Sequence, residues 1–448
     1  MFKKIEAWIL YLFIVLGILF AFFFGFLVRQ ELVGTTKFGA LSKAALFISN
    51  IPSEIRQRSL GINLDIDFGD DKGFIGESLN RESYLLLSRY DGISRRNIVE
   101  LVDLRTFNAV YSWRPNYQEI LDSVNLLKDV YPDFETTNNP SRFRIFNPLL
   151  TKDGGIIFHH NSPLIKVNAC SELVWLNEKY KFHHSNEFDE IGNIWAPSRI
   201  FPFDVDKSLV GESIDDFKDD GIAKFSPEGE LIFSKSVAQL LIENNYKGLV
   251  FGYSNNFTGD PLHLNDIEPA KKDSLYWKKG DLFLSLRNIS AIVHYRPNSN
   301  KVIDVIRGPF SMQHDVNILD NESITIFDNN VLITKKRGTS FVDGSNRVFV
   351  YNLRTKIFTS VIEDSILKNK IKTAAEGRST ILKNNDVYIE ESNRGRLFYF
   401  NQEGKLLWKY VSVHEDNQLY RLGWSRIIDD NESFDVINKL LKNSKCQK

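Results

Sequence analysis

From Trp8 to Val28 the chain reads WILYLFIVLGILFAFFFGFLV, 21 residues without a charge. At 1.5 Å of rise per residue a helix of that length covers about 30 Å, the hydrocarbon thickness of a bilayer. The pattern predicts one transmembrane helix. The run exceeds the roughly 7 to 15 apolar residues of a secretory signal, and no small-x-small cleavage pattern follows it. It is therefore expected to remain as an anchor. Lys3 and Lys4 place the N-terminus on the cytoplasmic side, although Arg29, Lys37 and Lys43 stand beyond the other end and blunt that bias. A helix is also expected around Leu41 to Arg56.

Past Arg95 the apolar positions alternate, and the chain repeats one unit: a strand pair joined by a short turn, then an irregular polar stretch. Examples are GIAKFSPEGELIFSK, NRVFVYNLRTKIFTSVI and GRLFYFNQEGKLLWKYV. Six such hairpins begin near Arg96, Ser162, Gly221, Ile289, Asn346 and Gly395, at intervals of roughly 50 to 70 residues. A single blade cannot bury both faces of its sheet, whereas a closed ring of blades can. The expected fold is all-β, a six-bladed β-propeller with an N-terminal transmembrane helix. The expected layout is residues 1–29 as cytoplasmic N-terminus and anchor, 30–95 as stalk and lead-in, and 96–448 as propeller.

Composition narrows the function. The 448 residues are 43% hydrophobic, enough for a large core, and a formal net charge of -1 argues against nucleic-acid binding. Cys170 and Cys446 are far apart in sequence, so no disulfide is expected between them.

Seven of the eight histidines fall between His159 and His314. The polar stretches after the hairpins each carry a cationic or titratable residue: Arg142 and Arg144, His183 and His184, His263, His314, Arg378, and Arg421. Converging on one axis, these would make a locally positive mouth that attracts an anion. Taken singly, most have plainer readings. His159 and His160 end a strand-like run, His294 reads as a solvent-facing hairpin residue, and His414 as a loop residue. The arginines divide evenly between anion contacts and ordinary salt bridges.

Three stretches carry a resemblance: HHSNEFDEIGNIWA, DPLHLNDIEPAKKDSLYWKKGDLFLSLRNISAIVHY and GPFSMQHDVNILDNESITIFDNN. In order and spacing they resemble the bacterial arylsulfate sulfotransferase family. The resemblance covers residues 150 to 335 well and the flanks only by repeat pattern. It implies a propeller that moves a sulfuryl group from an aryl sulfate ester to a phenolic acceptor, without a nucleotide donor and with neither cofactor nor metal. It further implies His314 as nucleophile through a transient sulfohistidine, His263, Asn265 and Arg287 as sulfate-binding and polarising groups, and His183 or His184 as a further active-site histidine. Arg378 and Arg421 are added as substrate-binding residues from their place in the repeat.

The implied setting is a bacterial inner membrane with the propeller on the periplasmic side. The family's separate N-terminal β-sandwich and its close cysteine pair have no counterpart here. Other readings remain: a non-catalytic membrane-anchored propeller that binds an anionic ligand or a protein, and, more distantly, a quinone-dependent dehydrogenase. A His-rich cluster could also hold zinc or copper, but no HExxH or CxxC spacing is present, and neighbouring arginine would repel a cation.

Overall fold

A computed structural model describes residues 6–32, 38–59, 71–132, 134, 138–139, 143–252, 257–334, 340–413, 419–443 and 446. His414 and Arg142 lie outside them. The chain divides into two units, Met1–Asp70 with Asn139–Arg142, and Asp71–Asn138 with Phe143–Lys448.

In the first unit helix α1 (Ala7–Leu32) holds the apolar run and is long and apolar enough to cross a membrane or to serve as a signal sequence. Helix α2 (Gly39–Ser59) packs on it through buried Ala45 and Leu27.

The second unit is a mostly-β, propeller-like arrangement of antiparallel sheets. Each of the six expected hairpins is a strand pair: Arg96–Asp103 with Asn108–Trp113, Ser162–Val167 with Leu173–Phe182, and Asp219–Phe225 with Leu231–Ser236. The others are Ala291–Arg296 with Lys301–Ile306, Arg347–Asn352 with Ile357–Ser360, and Arg396–Phe400 with Leu406–Val411. Inner strands complete the sheets, for example Leu264–Pro269 and Leu282–Leu286 ahead of Ala291–Arg296. One eight-stranded sheet runs from Phe146–Leu150 to Leu231–Ser236, continuous where Ser198 and Arg199 pair with Phe182 and Lys181.

The sheets reach into the segment expected as lead-in. Gly73–Gly76 pairs with Leu406–Val411, and Tyr84–Asp91 lies between Arg96–Asp103 and Arg426–Ile428. Strands from the two ends of the chain thus share two sheets. The outer hairpins alone show in the sequence because their turns do; Tyr84–Asp91 lacks a turn signal of its own but supplies the partner that Arg96–Asp103 needs.

Neighbouring sheets bury both faces of a strand, so the alternation of polar and apolar residues fades at the centre. Leu282 and Leu284 pack with Ile222 and Leu240, while Phe283 between them packs with Val316 and Ile326. Truncating a buried aromatic such as Phe283 to alanine would cost about 3–5 kcal/mol. The same burial overturns the expectation for His294: it is enclosed, stacked on Phe283 at 4.7 Å and 2.9 Å from Asp281.

The inner strands fasten to one another through side chains. Asp266 Oδ2 accepts from Val316 N at 2.7 Å, and Asp315 Oδ2 from Ser379 N at 3.1 Å. Glu390 accepts from Trp424 N and Ser425 N at 2.8 and 2.6 Å. These bonds satisfy backbone donors that no neighbouring strand reaches.

Cys170 and Cys446 correct a second expectation. They form a disulfide, with Cα atoms 5.1 Å apart across a sequence separation of 276. The C-terminal helix Asn431–Asn443 brings them together by sinking Ile437 and Leu440 into the core that holds Tyr84, Trp113 and Ile156. Sequence distance carries no information about that docking.

Candidate active site

Near the start of several inner strands the backbone turns through the left-handed region. Asn147, His184, His263, Met312, Glu376 and Trp424 all have φ between 46° and 66°. For side chains with a Cβ this conformation is costly, on the order of 1 kcal/mol or more, and it persists where the surroundings impose it. His184 and His263 share this turning position. His314 does not: it stands two residues after Met312, the place that Asn265 takes after His263. The three histidines expected at equivalent places thus occupy two levels of the repeat.

The structure brings the imidazoles together. The His184 ring centroid lies 5.1 Å from that of His183, 5.2 Å from His263 and 5.6 Å from His314. Phe146 and Trp424 flank His184 at 6.4 and 6.1 Å.

His314 has a fixed tautomer. Its Nδ1 faces Asn329 Oδ1 at 2.6 Å and the Met312 carbonyl at 3.2 Å. The Asn329 amide is oriented in turn, because its Nδ2 donates to the carbonyls of Thr373 and Glu376 at 2.9 and 2.8 Å. Two acceptors around Nδ1 require Nδ1–H, which leaves the lone pair on Nε2. Burial, then the charges of Arg287 and His263, hold the His314 pKa well below the ordinary value. The neutral form predominates at pH 7.

His183 and His184 meet through their Nδ1 atoms at 2.8 Å, so one of the two carries the proton. Asp220 Oδ1 faces His183 Nε2 at 3.5 Å, which favours a proton there and makes His184 Nδ1 the donor. Burial and then the nearby Arg199 push His183 down to about 4. Burial and the surrounding imidazoles push His184 well down too.

His263 is held from the loop before its strand, with Nδ1 2.8 Å from Asp260 Oδ2. Burial alone would raise the Asp260 carboxyl, but the bond from His263 and the charge of Arg199 hold it below its ordinary value. Arg287 opens a short 3-10 turn after Leu282–Leu286, and its backbone N–H donates to the His263 carbonyl at 3.1 Å. Its Nη1 donates to Asn288 at 2.8 Å, while its buried Nε has no partner among the described residues. Burial lowers its pKa, opposed by Asp260. A buried cationic donor without a hydrogen-bond partner among the described residues, near the neutral His314, is suited to an anion.

Two expected ligand-binding residues, Asn265 and Arg378, are engaged otherwise. Asn265 is fully buried and donates through Nδ2 to the Gln313 carbonyl at 2.9 Å, bracing the segment that carries His314. Arg378 is buried with its charge matched by Asp315 at 3.6 Å and Glu187 at 3.9 Å. Arg421 is exposed, and Arg144 forms an ion pair with Glu376 at 3.0 Å. His159 is enclosed against the Ser185 carbonyl at 3.3 Å and pushed down to about 3 by burial. The His160 ring lies tilted against Phe146, with centroids 5.3 Å apart.

Sequence reasoning passed over Asp260, Asn329, Arg199 and Asp220. Asp260 stands three residues before His263, and Asn329 closes the FDN run, so both were visible as neighbours but not as partners. Among the described residues, no group of three or more His, Cys, Asp or Glu is placed to hold a metal ion.

Among solved structures, a protein of unknown function from Bacteroides caccae is 12% identical over 78% of this chain and 100% of its own, with a TM-score of 0.48. Hydrazine synthase from Kuenenia stuttgartiensis is 11% identical over 68% and 71%, with a TM-score of 0.40. The Dos1 propeller is 8% identical over 76% and 74%, with a TM-score of 0.37. No curated protein matches. The arylsulfotransferase (ASST) family matches residues 148–413, more than half of the chain and every histidine of the cluster, and the chain belongs to that family.

Proposed function

We propose that this chain is a membrane-anchored, six-bladed propeller that moves a sulfuryl group from an aryl sulfate to a phenolic acceptor through a sulfohistidine at His314. The observation that carries the reading is the Asn329–His314 bond, which leaves an unprotonated Nε2 amid His184, His263 and Arg287. In the first half-reaction the Nε2 lone pair forms a bond to sulfur as the bond from sulfur to the aryl oxygen breaks. The imidazole, still protonated at Nδ1, becomes an N-sulfo-imidazolium whose charge the Asn329 and Met312 oxygens stabilise. The departing aryl oxygen takes a proton from His263, whose cationic form Asp260 supports. In the second half the acceptor phenol returns its proton to His263, its oxygen attacks sulfur, and the bond from sulfur to nitrogen breaks.

Arg287 faces the sulfuryl oxygens, where negative charge concentrates in the transition state. His184 accepts a hydrogen bond through Nε2 from the incoming hydroxyl, and His183 fixes its tautomer. Asn265 and Arg378 support the inner strands rather than the substrate. The disulfide fits an oxidising, extracytoplasmic compartment.

Full-length protein supplied with 4-nitrophenyl sulfate and a phenol should release nitrophenol and yield a His314 peptide bearing a sulfuryl group. His314→Ala should lose turnover by about 10³-fold or more. Undiminished turnover in that variant, or none in the parent across a broad donor panel, would leave a ligand-binding propeller as the better reading.

A further inference from the structure

We propose that helix α2 is a membrane-embedded element whose apolar face lies in lipid. The inference goes beyond the transfer reaction and rests on reading α1 as an uncleaved span.

The argument begins with depth. The Phe38 ring, just ahead of α2, lies 6.5 Å from the ring of Phe23 and 5.7 Å from that of Phe26. Both belong to the uncharged run that ends at Val28. At 1.5 Å per residue they sit about 3–8 Å inside that end, so α2 starts back at the level of the span and not beyond it.

Its polar groups are then few and accounted for. Ser42 Oγ donates to Glu31 Oε2 at 3.0 Å and to the Gly39 carbonyl at 3.1 Å. Ser49 Oγ donates to the Leu46 carbonyl at 2.7 Å. Between Phe38 and Ser49 the sequence has a single charge, Lys43, on a stem long enough to carry it to the headgroups.

The face turned away from α1 is unpartnered and apolar. Leu41, Phe47 and Ile48 are 53%, 72% and 52% exposed, and Ile51 continues the patch. Among the described residues of this unit nothing covers them. In water such a patch would favour aggregation, whereas against acyl chains it needs no cover. Contact with α1 at the depth of the span selects lipid as the occupant over a soluble partner.

The test uses full-length protein in phosphatidylcholine and phosphatidylglycerol nanodiscs, labelled with an NBD fluorophore on a cysteine introduced by Phe47→Cys or Leu41→Cys. The native cysteines are both in the disulfide. Leu275→Cys, at a residue 94% exposed in the sheet unit, is the aqueous reference. The proposal expects blue-shifted emission at 47 and 41 that doxyl-labelled lipids quench, with neither effect at 275. Aqueous emission at 47 overturns it, and so does blue-shifted emission that the lipids fail to quench, since protein then covers the face. N-terminal sequencing of the membrane fraction separates the two readings. Loss of α1 overturns the anchor and the proposal together; α1 retained with an unquenched label overturns the proposal alone.

Discussion

His294 Nε2 lies 2.9 Å from Asp281 Oδ2, and His263 Nδ1 lies 2.8 Å from Asp260 Oδ2. The two bonds are alike in length and chemistry, and differ in what surrounds them. Asp281 also receives Arg296 through two bonds of 2.7 Å and the Lys278 N–H at 2.8 Å, while Phe283 covers the imidazole. The His294 and Asp281 side chains are each 1% exposed, against 22% and 20% for His263 and Asp260. A buried pair whose carboxylate is also held by an arginine and a backbone N–H is a brace. A pair at a strand entrance, with one ring edge turned to other imidazoles, can pass a proton. The difference teaches that a histidine–carboxylate contact has no role of its own until its burial and the carboxylate's other partners are accounted for.

The largest way to break the comparison is to remove each carboxylate in turn. Asp260→Asn or His263→Gln should slow transfer by about 10²–10⁴-fold with donors whose phenols are weakly acidic. The loss should be smaller with 4-nitrophenyl sulfate, because nitrophenolate leaves with little need of a proton. Asp281→Asn should leave the rate nearly as it was, in steady-state assays below the melting transition. Equal losses in both variants would erase the distinction.

Stability should show the reverse order. Asp281→Ala strands Arg296 and His294 beside an apolar face and should cost about 3–5 kcal/mol by urea unfolding. Asp260→Asn should cost about 1 kcal/mol or less, since Arg199 keeps its bond to Asp220.

pH sharpens the contrast at the proposed nucleophile. On the proposed mechanism His314 acts in its neutral form, and its pKa is held well below the ordinary histidine value by burial and by Arg287. Its neutral fraction therefore survives as pH falls through about 6.5, the value for an unperturbed imidazole. Profiles of kcat/KM against pH should place the limb assigned to His314 below that point. Arg287→Gln removes a repelling charge, so this limb should move upward in pH while the rate falls.

The smallest effect is expected at Lys218, 3.5 Å from Asp260 and 56% exposed. Water screens such a pair, so Lys218→Ala should shift stability by about 0.5 kcal/mol at most and leave transfer nearly unchanged.

Much of the fold was legible because turns punctuate hairpins. The six outer strand pairs stand where the SPEGE, RPNSN and NQEGK turns and their counterparts put them. Tyr84–Asp91 was taken for lead-in because an inner strand buried on both faces reads as a plain apolar run. His263 and His314 were singled out through their motifs, and the structure gathers both rings around His184. Asn329 was not, since an asparagine 15 residues from its partner looks like any turn residue until two carbonyls are seen to orient its amide.

By itself the sequence determined the apolar N-terminal helix, the repeated hairpins, and the motifs that mark the arylsulfotransferase family. These rest on local periodicity and on motif identity, which neighbours along the chain decide. Only the tertiary structure decided that His294 is a brace and His263 is not, that Arg378 is matched by carboxylates, and that Cys170 meets Cys446. The reason is common to all three: burial, charge pairing and tautomer are set by groups that distant strands bring within about 3–4 Å, and spacing along a chain holds no measure of that distance.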